Sequence, residues 1–333
     1  MRSKTKYPVT QAQVRTVFAA AGLGEVSAVA PMSDGWYNTI LSVTAGGADY
    51  VLKIAPHPNT RVLTYERDLL RQELRFYALL RERTKIRTPR IFCGDCSRTL
   101  LPCDYFIMEK LDGVRLDKAG LRGAARAAAD AGIAEILAEL HTISGAGFGY
   151  EQNGLEANWY LALRKMTLAL TEDCAAFGKT CRAGARLLRF IDRYRTILEP
   201  VLSTFVHFDL HDMNLFYAQA PDGSPQLSAI DLERCFWGDR ICDLLLADFF
   251  QAPERKTRLL ADYNRFAKDP IAMGREEQVR YWLMMGYLAV IMHTERFSRY
   301  RPWNSTWWVD VISSVYLQIR SFAALRRLGW RFP

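Results

Sequence analysis

Apolar and polar positions follow two rhythms along this chain, and the change falls near residue 112. Before it the apolar runs are short. Val26 to Pro31, Thr39 to Thr44, Tyr50 to Ile54, Arg90 to Cys93 and Tyr105 to Leu111 read as strands, with Ala45-Gly46-Gly47-Ala48-Asp49 as a hairpin turn between the second and third. Two helices join them. Thr10 to Ala21 has a capping Thr10 and an apolar stripe of Val14, Val17 and Phe18. Leu63 to Arg83 repeats Leu69, Leu70, Leu74, Tyr77 and Leu80 at intervals of three and four, and Pro89 closes the segment.

After Asp112-Gly113 the helical period dominates. It predicts helices at 124–142, 157–170, 183–198, 241–250, 255–266, 275–295 and 306–327, interrupted by short strands near 205–231. The expected fold class is α+β: a small, mostly antiparallel sheet lobe over 1–112 with one long helix inserted after its third strand, then a larger helical lobe over 113–333. No internal repeat or low-complexity segment breaks this plan.

With 333 residues, 50% of them hydrophobic, the chain can bury a large core and form two domains. The net charge of +8 favours an anionic ligand such as a nucleotide. The basic residues are scattered rather than gathered in a block or tail, so nucleic acid is not an expected partner. The N-terminal stretch is basic but has no apolar segment behind it, so no signal peptide is expected. The longest apolar run, Tyr281 to Met292, is too short to span a bilayer, so no membrane partner is expected. A cytoplasmic monomer is the reading that follows. Seven cysteines at irregular spacing argue against a disulfide framework. Cys93 and Cys96, with Cys103 nearby, raise the question of zinc, but a structural site wants four ligands, and reduced thiols in a turn are expected instead.

The chemistry concentrates in Val206-His207-Phe208-Asp209-Leu210-His211-Asp212-Met213-Asn214-Leu215-Phe216, followed by Ala229-Ile230-Asp231-Leu232-Glu233. One carboxylate follows a histidine, an amide stands five positions on, and a second carboxylate ends an apolar run. That set suits phosphoryl transfer from a magnesium nucleotide, in which positioning and charge neutralisation dominate. Upstream, Tyr50-Val51-Leu52-Lys53-Ile54 places a lysine on a strand, and Glu66 and Glu73 lie seven apart on the long helix.

These stretches, in this order, resemble the aminoglycoside phosphotransferase and choline kinase family of protein-kinase-like enzymes. That family commonly shows His-Gly-Asp-Leu-His-x-x-Asn, then Ile-Asp-x-Glu, then Gly-Asp-Pro-x-x-Asp-Leu. Here His207 to Asn214, Ile230 to Glu233 and Gly238 to Leu244 match, with Phe208 in place of Gly and Arg240 in place of Pro. The resemblance implies a two-lobe kinase-like fold and an O-phosphotransferase that uses ATP (or GTP) and Mg²⁺ on the hydroxyl of a small molecule, inactivation of an antibiotic being one role found in the family. It implies Asp209 as proton acceptor, with Asn214 and Asp231 as magnesium ligands and Glu233 in support. His207 braces the loop, and Asp239 and Asp243 hold it. Lys53 would bind the α- and β-phosphates with Glu73 as its partner and Glu66 as the fallback. Ser33, in the loop Ser33-Asp34-Gly35-Trp36-Tyr37-Asn38, would cover the phosphates. In the linker Phe106 to Gly113, the Glu109 carbonyl and Leu111 N–H would read the base, with Met108 behind it. The C-terminal part is poor in acids and rich in aromatics (Trp282, Tyr287, Trp303, Trp307, Trp308, Tyr316), which suits a stacked acceptor better than a polycation. The alternative, a catalytically idle kinase-like binding module, fits less well because every catalytic position is filled.

Overall fold

Strand pairing in the N-terminal part follows directly from the alternating runs. The computed structural model describes residues 4–32, 37–220, 223–245, 257–299 and 305–330. It begins with α1 (Gln11–Ala20), β1 (Val26–Pro31), β2 (Thr39–Ala45), β3 (Ala48–Ile54), α2 (Leu69–Arg83), β4 (Ile91–Asp95) and β5 (Tyr105–Glu109). The five strands form one antiparallel sheet in the order β1-β2-β3-β5-β4. Thr10 caps α1 through a reciprocal box with Gln13. Gly46 and Gly47, at φ 55° and 81°, make the tight β2–β3 turn that only such residues enter without strain.

β3 is buried on both faces from Tyr50 to Ile54 rather than alternating. The reason is that α1 covers one face, with Phe18 edge-on to Tyr50, and α2 covers the other, with Tyr77 edge-on to Phe106 of neighbouring β5. A lysine on this strand is therefore forced into the interior, where it needs acids.

The chain continues with β6 (Val114–Arg115), α3 (Gly123–Leu140), α4 (Trp159–Ala176), α5 (Arg182–Arg193), α6 (Arg195–Leu198), β7 (Thr204–Val206), β8 (Leu215–Gln219), β9 (Pro225–Ala229), β10 (Phe236–Gly238), α7 (Thr257–Phe266), α8 (Arg275–Arg299) and α9 (Ser305–Trp330). Two small antiparallel sheets, β6-β8-β9 and β10-β7, bracket the motif region. The loop 207–214 leaves β7 and enters β8, and Asp231 follows β9. α8 is buried nearly all round and forms the centre of the helical part. Among the described residues no helix is long and apolar enough to cross a membrane. The seven cysteines are all free, and among the described residues none joins a cluster able to hold a metal ion.

Four elements differ from the sequence reading. The helix expected over 157–170 runs on to Ala176. The long helix starts at Leu69, not Leu63. Residues Thr64–Glu66 form a separate 3-10 turn, and Asp68 sits in the left-handed region at φ 53°. Tertiary bonds cause the break: Asp173 accepts from both the Thr64 N–H and its hydroxyl, and Glu66 is drawn to Arg299. The predicted helix 183–198 splits at Tyr194, whose hydroxyl donates to the Leu325 carbonyl. Residues Arg240–Leu244 form a 3-10 turn that ends at Leu245 rather than the start of an α-helix, and residues 246–250 of that predicted helix lie outside the described residues.

Candidate active site

Three carboxylates and one lysine meet between the antiparallel sheet and the motif loops. Lys53 Nζ lies 2.8 Å from Glu73, 2.7 Å from Asp231 and 3.3 Å from Glu233. Lys53 and Glu73 are almost wholly buried. Of the two helix acids, Glu73 is the one beside Lys53; Glu66 binds Arg299 at 2.6 Å, on the other side of the break at Asp68. Asn38, the last residue of the expected phosphate-covering turn, donates to Glu233 at 2.6 Å. Ser33 and Trp303 lie outside the described residues.

The ligand oxygens of Glu73, Asp231 and Glu233 all lie within 4.8 Å of one another. One buried lysine cannot neutralise three acids. Burial and then mutual repulsion push the Glu73 carboxyl up to about 8 despite Lys53, and the same causes raise Glu233. Lys53 responds in the opposite sense: burial works against its charge, but Asp231, Glu73 and Glu233 outweigh it and hold the ammonium well above its ordinary range. The site is short of positive charge, and its free donors are hard oxygens, which fits a magnesium ion. Asp231 sits at φ 64°, a left-handed turn fixed by its N–H donating to the buried Tyr77 hydroxyl. The Ile230 N–H donates to the Asn214 carbonyl, which keeps Asn214 and Asp231 adjacent.

Asp209 is tied to this region through Asn214. Asn214 Nδ2 donates to its backbone carbonyl at 2.9 Å and to its carboxylate at 3.3 Å, so the Asn214 side-chain oxygen faces away. His207 Nδ1 accepts from the Asp209 N–H, a bracing role. Asp243 accepts from the His207 and Phe208 N–H groups at 3.0 and 2.6 Å, and His141 backs it at 3.0 Å. Asp239 Oδ1 accepts from the Ile241 N–H and caps that turn. Phe208 occupies the left-handed region at φ 61°, which accounts for the glycine common in related motifs; its ring packs between Phe236 and Tyr287.

Arg234 and Glu295 were not singled out from the sequence. Arg234 lies 3.8 Å from Asp209 and 2.7 Å from Glu295 of α8. Glu295 also pairs with Arg299 at 3.1 Å, and Arg299 with Glu66 at 2.6 Å, so a buried ionic ladder runs from the loop 207–214 to the segment before α2. Burial tends to raise the Asp209 carboxyl, but Arg234 and His211, the latter 3.5 Å away, more than offset it and leave it lowered. His211 is raised in turn, burial being outweighed by its bond to Asp209.

In the linker, Met108 pairs with Val51 of β3 and Ile91 of β4, and it is half-buried where β5 runs out. The Glu109 N–H donates to the Arg90 carbonyl, and its carboxylate accepts from the Arg90 N–H. Leu111 is half-buried just beyond. Of the predicted acceptor-side aromatics, Trp282 and Tyr287 are core residues, Trp307 is half-buried, and Trp308 and Tyr316 are exposed.

A buried lysine paired to a helix glutamate, with a loop aspartate and an Asp-Glu pair at the 3-10 turn after β9, stands on the two-lobe α+β fold of kinase-like phosphotransferases. The family model described as "Phosphotransferase enzyme family" matches residues 28–278, and the chain belongs to that family. No curated protein sequence matches the chain significantly. Among solved structures, one from Ralstonia eutropha, provisionally named an aminoglycoside phosphotransferase, superposes with TM-score 0.67 at 14% identity over 96% of this chain and 98% of that one. One from Haemophilus somnus, provisionally named a fructosamine-3-kinase, gives 0.62 at 16% over 91% and 96%. The GDP and kanamycin complex of APH(2")-IIIa gives 0.60 at 15% over 94% and 99%. At these identities the likeness establishes the fold.

Proposed function

We propose that this phosphotransferase moves the γ-phosphoryl group of Mg-ATP, or Mg-GTP, to a hydroxyl of a small molecule. The observation that carries the reading is the buried cluster Lys53–Glu73–Asp231–Glu233 lying beside Asp209 and Asn214. The binding of GDP and kanamycin in a protein of the same fold supports a nucleotide and a small-molecule acceptor here. An antibiotic is one acceptor class for this site.

Lys53, aimed by Glu73, binds the α- and β-phosphates. Asn214 and Asp231 would hold Mg²⁺, with Glu233 close enough to assist. The ion, when bound, neutralises charge on the transferring phosphoryl group. Asp209, kept ionised by Arg234 and His211, orients the acceptor hydroxyl in line and takes its proton as the bond to phosphorus forms. A carboxylate of lowered basicity suits this late transfer, because aiming comes before deprotonation. The base stacks against Met108 and bonds to the Glu109 carbonyl and Leu111 N–H. Ser33 belongs to the loop over the phosphates. The lobes divide at 112/113, where Gly113 at φ 94° enters β6 and any Cβ would lie 2.3 Å from the Tyr217 carbonyl.

Calorimetric titration with Mg-AMP-PNP tests the nucleotide half directly. Binding that requires Mg²⁺ and is lost in Lys53→Ala supports the reading; no binding by the wild-type chain overturns it.

A further inference from the structure

α9 carries apolar side chains on both sides. Its inner face, with Leu317, Phe322 and Leu325, is buried in the core. Its outer face presents Trp308, Val309, Ile312, Val315, Tyr316 and Ile319, all exposed, with Ile312 and Ile319 at 67% and 66%. At 100° per residue these six fall within one stripe about 120° wide and about 16 Å long. No charged residue interrupts the stripe from Trp308 to Ile319; Arg320 lies at its edge, and Arg326 and Arg327 close its C-terminal end.

An amphipathic surface helix normally turns charged residues to solvent, so an apolar outer face on a helix already packed inside marks an interface. We propose that this stripe is the contact of a homodimer, in which α9 of two copies pair antiparallel about a two-fold axis near residue 314. The stripe complements itself under that operation. Trp308 of one copy falls against Ile319 of the other, and Ile312 against Val315 and Tyr316, so bulky aromatic positions meet branched aliphatic ones. The antiparallel arrangement also sets the helix dipoles in opposition. The six residues expose on the order of 600 Å² per copy, so complete cover of both stripes would bury roughly 1,200 Å², the lower end of the range for a specific interface. A membrane surface fits less well: an interfacial helix carries basic residues along its length beside the apolar stripe, and here they gather at one end.

Sedimentation velocity of the full chain, without nucleotide, from sub-micromolar to tens of micromolar tests the assignment. The expected species has about twice the 38.1 kDa chain mass. Ile312→Glu combined with Ile319→Glu, at exposed positions, should weaken dimerisation ~100-fold or more while the circular dichroism spectrum and Tm stay unchanged. A chain that is monomeric throughout overturns the proposal, whether or not it co-sediments with vesicles of anionic phospholipid. So does a dimer that the folded double variant forms equally well. Neither outcome bears on nucleotide binding, which calorimetry reads separately.

Discussion

Lys53 and Glu73 meet at 2.8 Å in a site almost closed to water, yet Glu73 is only one of three acids around that lysine. The two partners are therefore not equivalent. Glu73→Gln leaves Lys53 with Asp231 and Glu233 and should cost little stability. Lys53→Met leaves three carboxylates together and should cost about 3–5 kcal/mol. Millimolar Mg²⁺ should recover part of that loss by supplying the missing charge. Thermal melts of both variants with and without MgCl₂ check this; equal destabilisation, or no effect of Mg²⁺ on Lys53→Met, would count against it.

Arg234 divides its charge between Glu295 at 2.7 Å and Asp209 at 3.8 Å. Removing the nearer acid should let the guanidinium close on Asp209 and hold it away from the acceptor. Glu295→Gln is expected to lower kcat ~10–100-fold, as loss of aim at a reacting group does, with the nucleotide Kd unchanged. A change confined to nucleotide affinity would contradict this account of Glu295.

Phe208 holds a backbone conformation at φ 61° that disfavours side chains, while its ring is 1% exposed. Two terms oppose each other in Phe208→Gly. Relief of strain is worth ~1–3 kcal/mol, and loss of the buried ring costs ~3–5 kcal/mol. The net expectation is destabilisation by ~2 kcal/mol from those two terms, read from urea midpoints. A more stable glycine variant would show that the ring is not packed as described.

His293 gives the protein an acid-sensitive element outside the site. Burial, then the neighbouring Arg296, lowers its imidazole from 6.5 to about 4. Arg296 donates to Nδ1 at 3.1 Å, so protonation would place two cations in contact. The unfolded chain takes up this proton near 6.5 and the folded chain only near 4, so stability falls as pH drops between those values and levels off below them. Tm should decline more steeply from pH 6.5 to 4.5 in the wild type than in His293→Gln; parallel profiles would remove His293 from the explanation.

The residues legible in the sequence are those whose neighbours are local or lie on a regular element. Asp209 and Asn214 share one loop and Asp231 closes the apolar run after it, so type and spacing pointed to one chemistry; Lys53, on a strand, stood out only through the family resemblance. Glu73 was preferred to Glu66, which the sequence puts on the same helix, only through the family's spacing to Pro89. Arg234 and Glu295 lie 61 residues apart, and Arg299 and Glu66 lie 233 apart. No local period links such partners, and an isolated arginine beside a motif reads as a solvated charge. The same long-range ladder displaced the start of α2, because Glu66 is held by Arg299 and not by a helical turn. The left-handed φ of Phe208 was invisible for a related reason: aromatic residues rarely adopt it, and only packing against Phe236 and Tyr287 makes it tenable.

Acceptor-dependent ADP release from the wild-type chain and from Asp209→Asn tests the central claim most directly. The panel should span aminoglycosides, quaternary amines, sugars and amino alcohols, each with ATP and with GTP. The account predicts that at least one acceptor class stimulates release by the wild type. It predicts that Asp209→Asn loses that stimulation by ~10²–10⁴-fold while binding Mg-AMP-PNP as before. A variant as active as the wild type, with nucleotide binding intact in both, would contradict it.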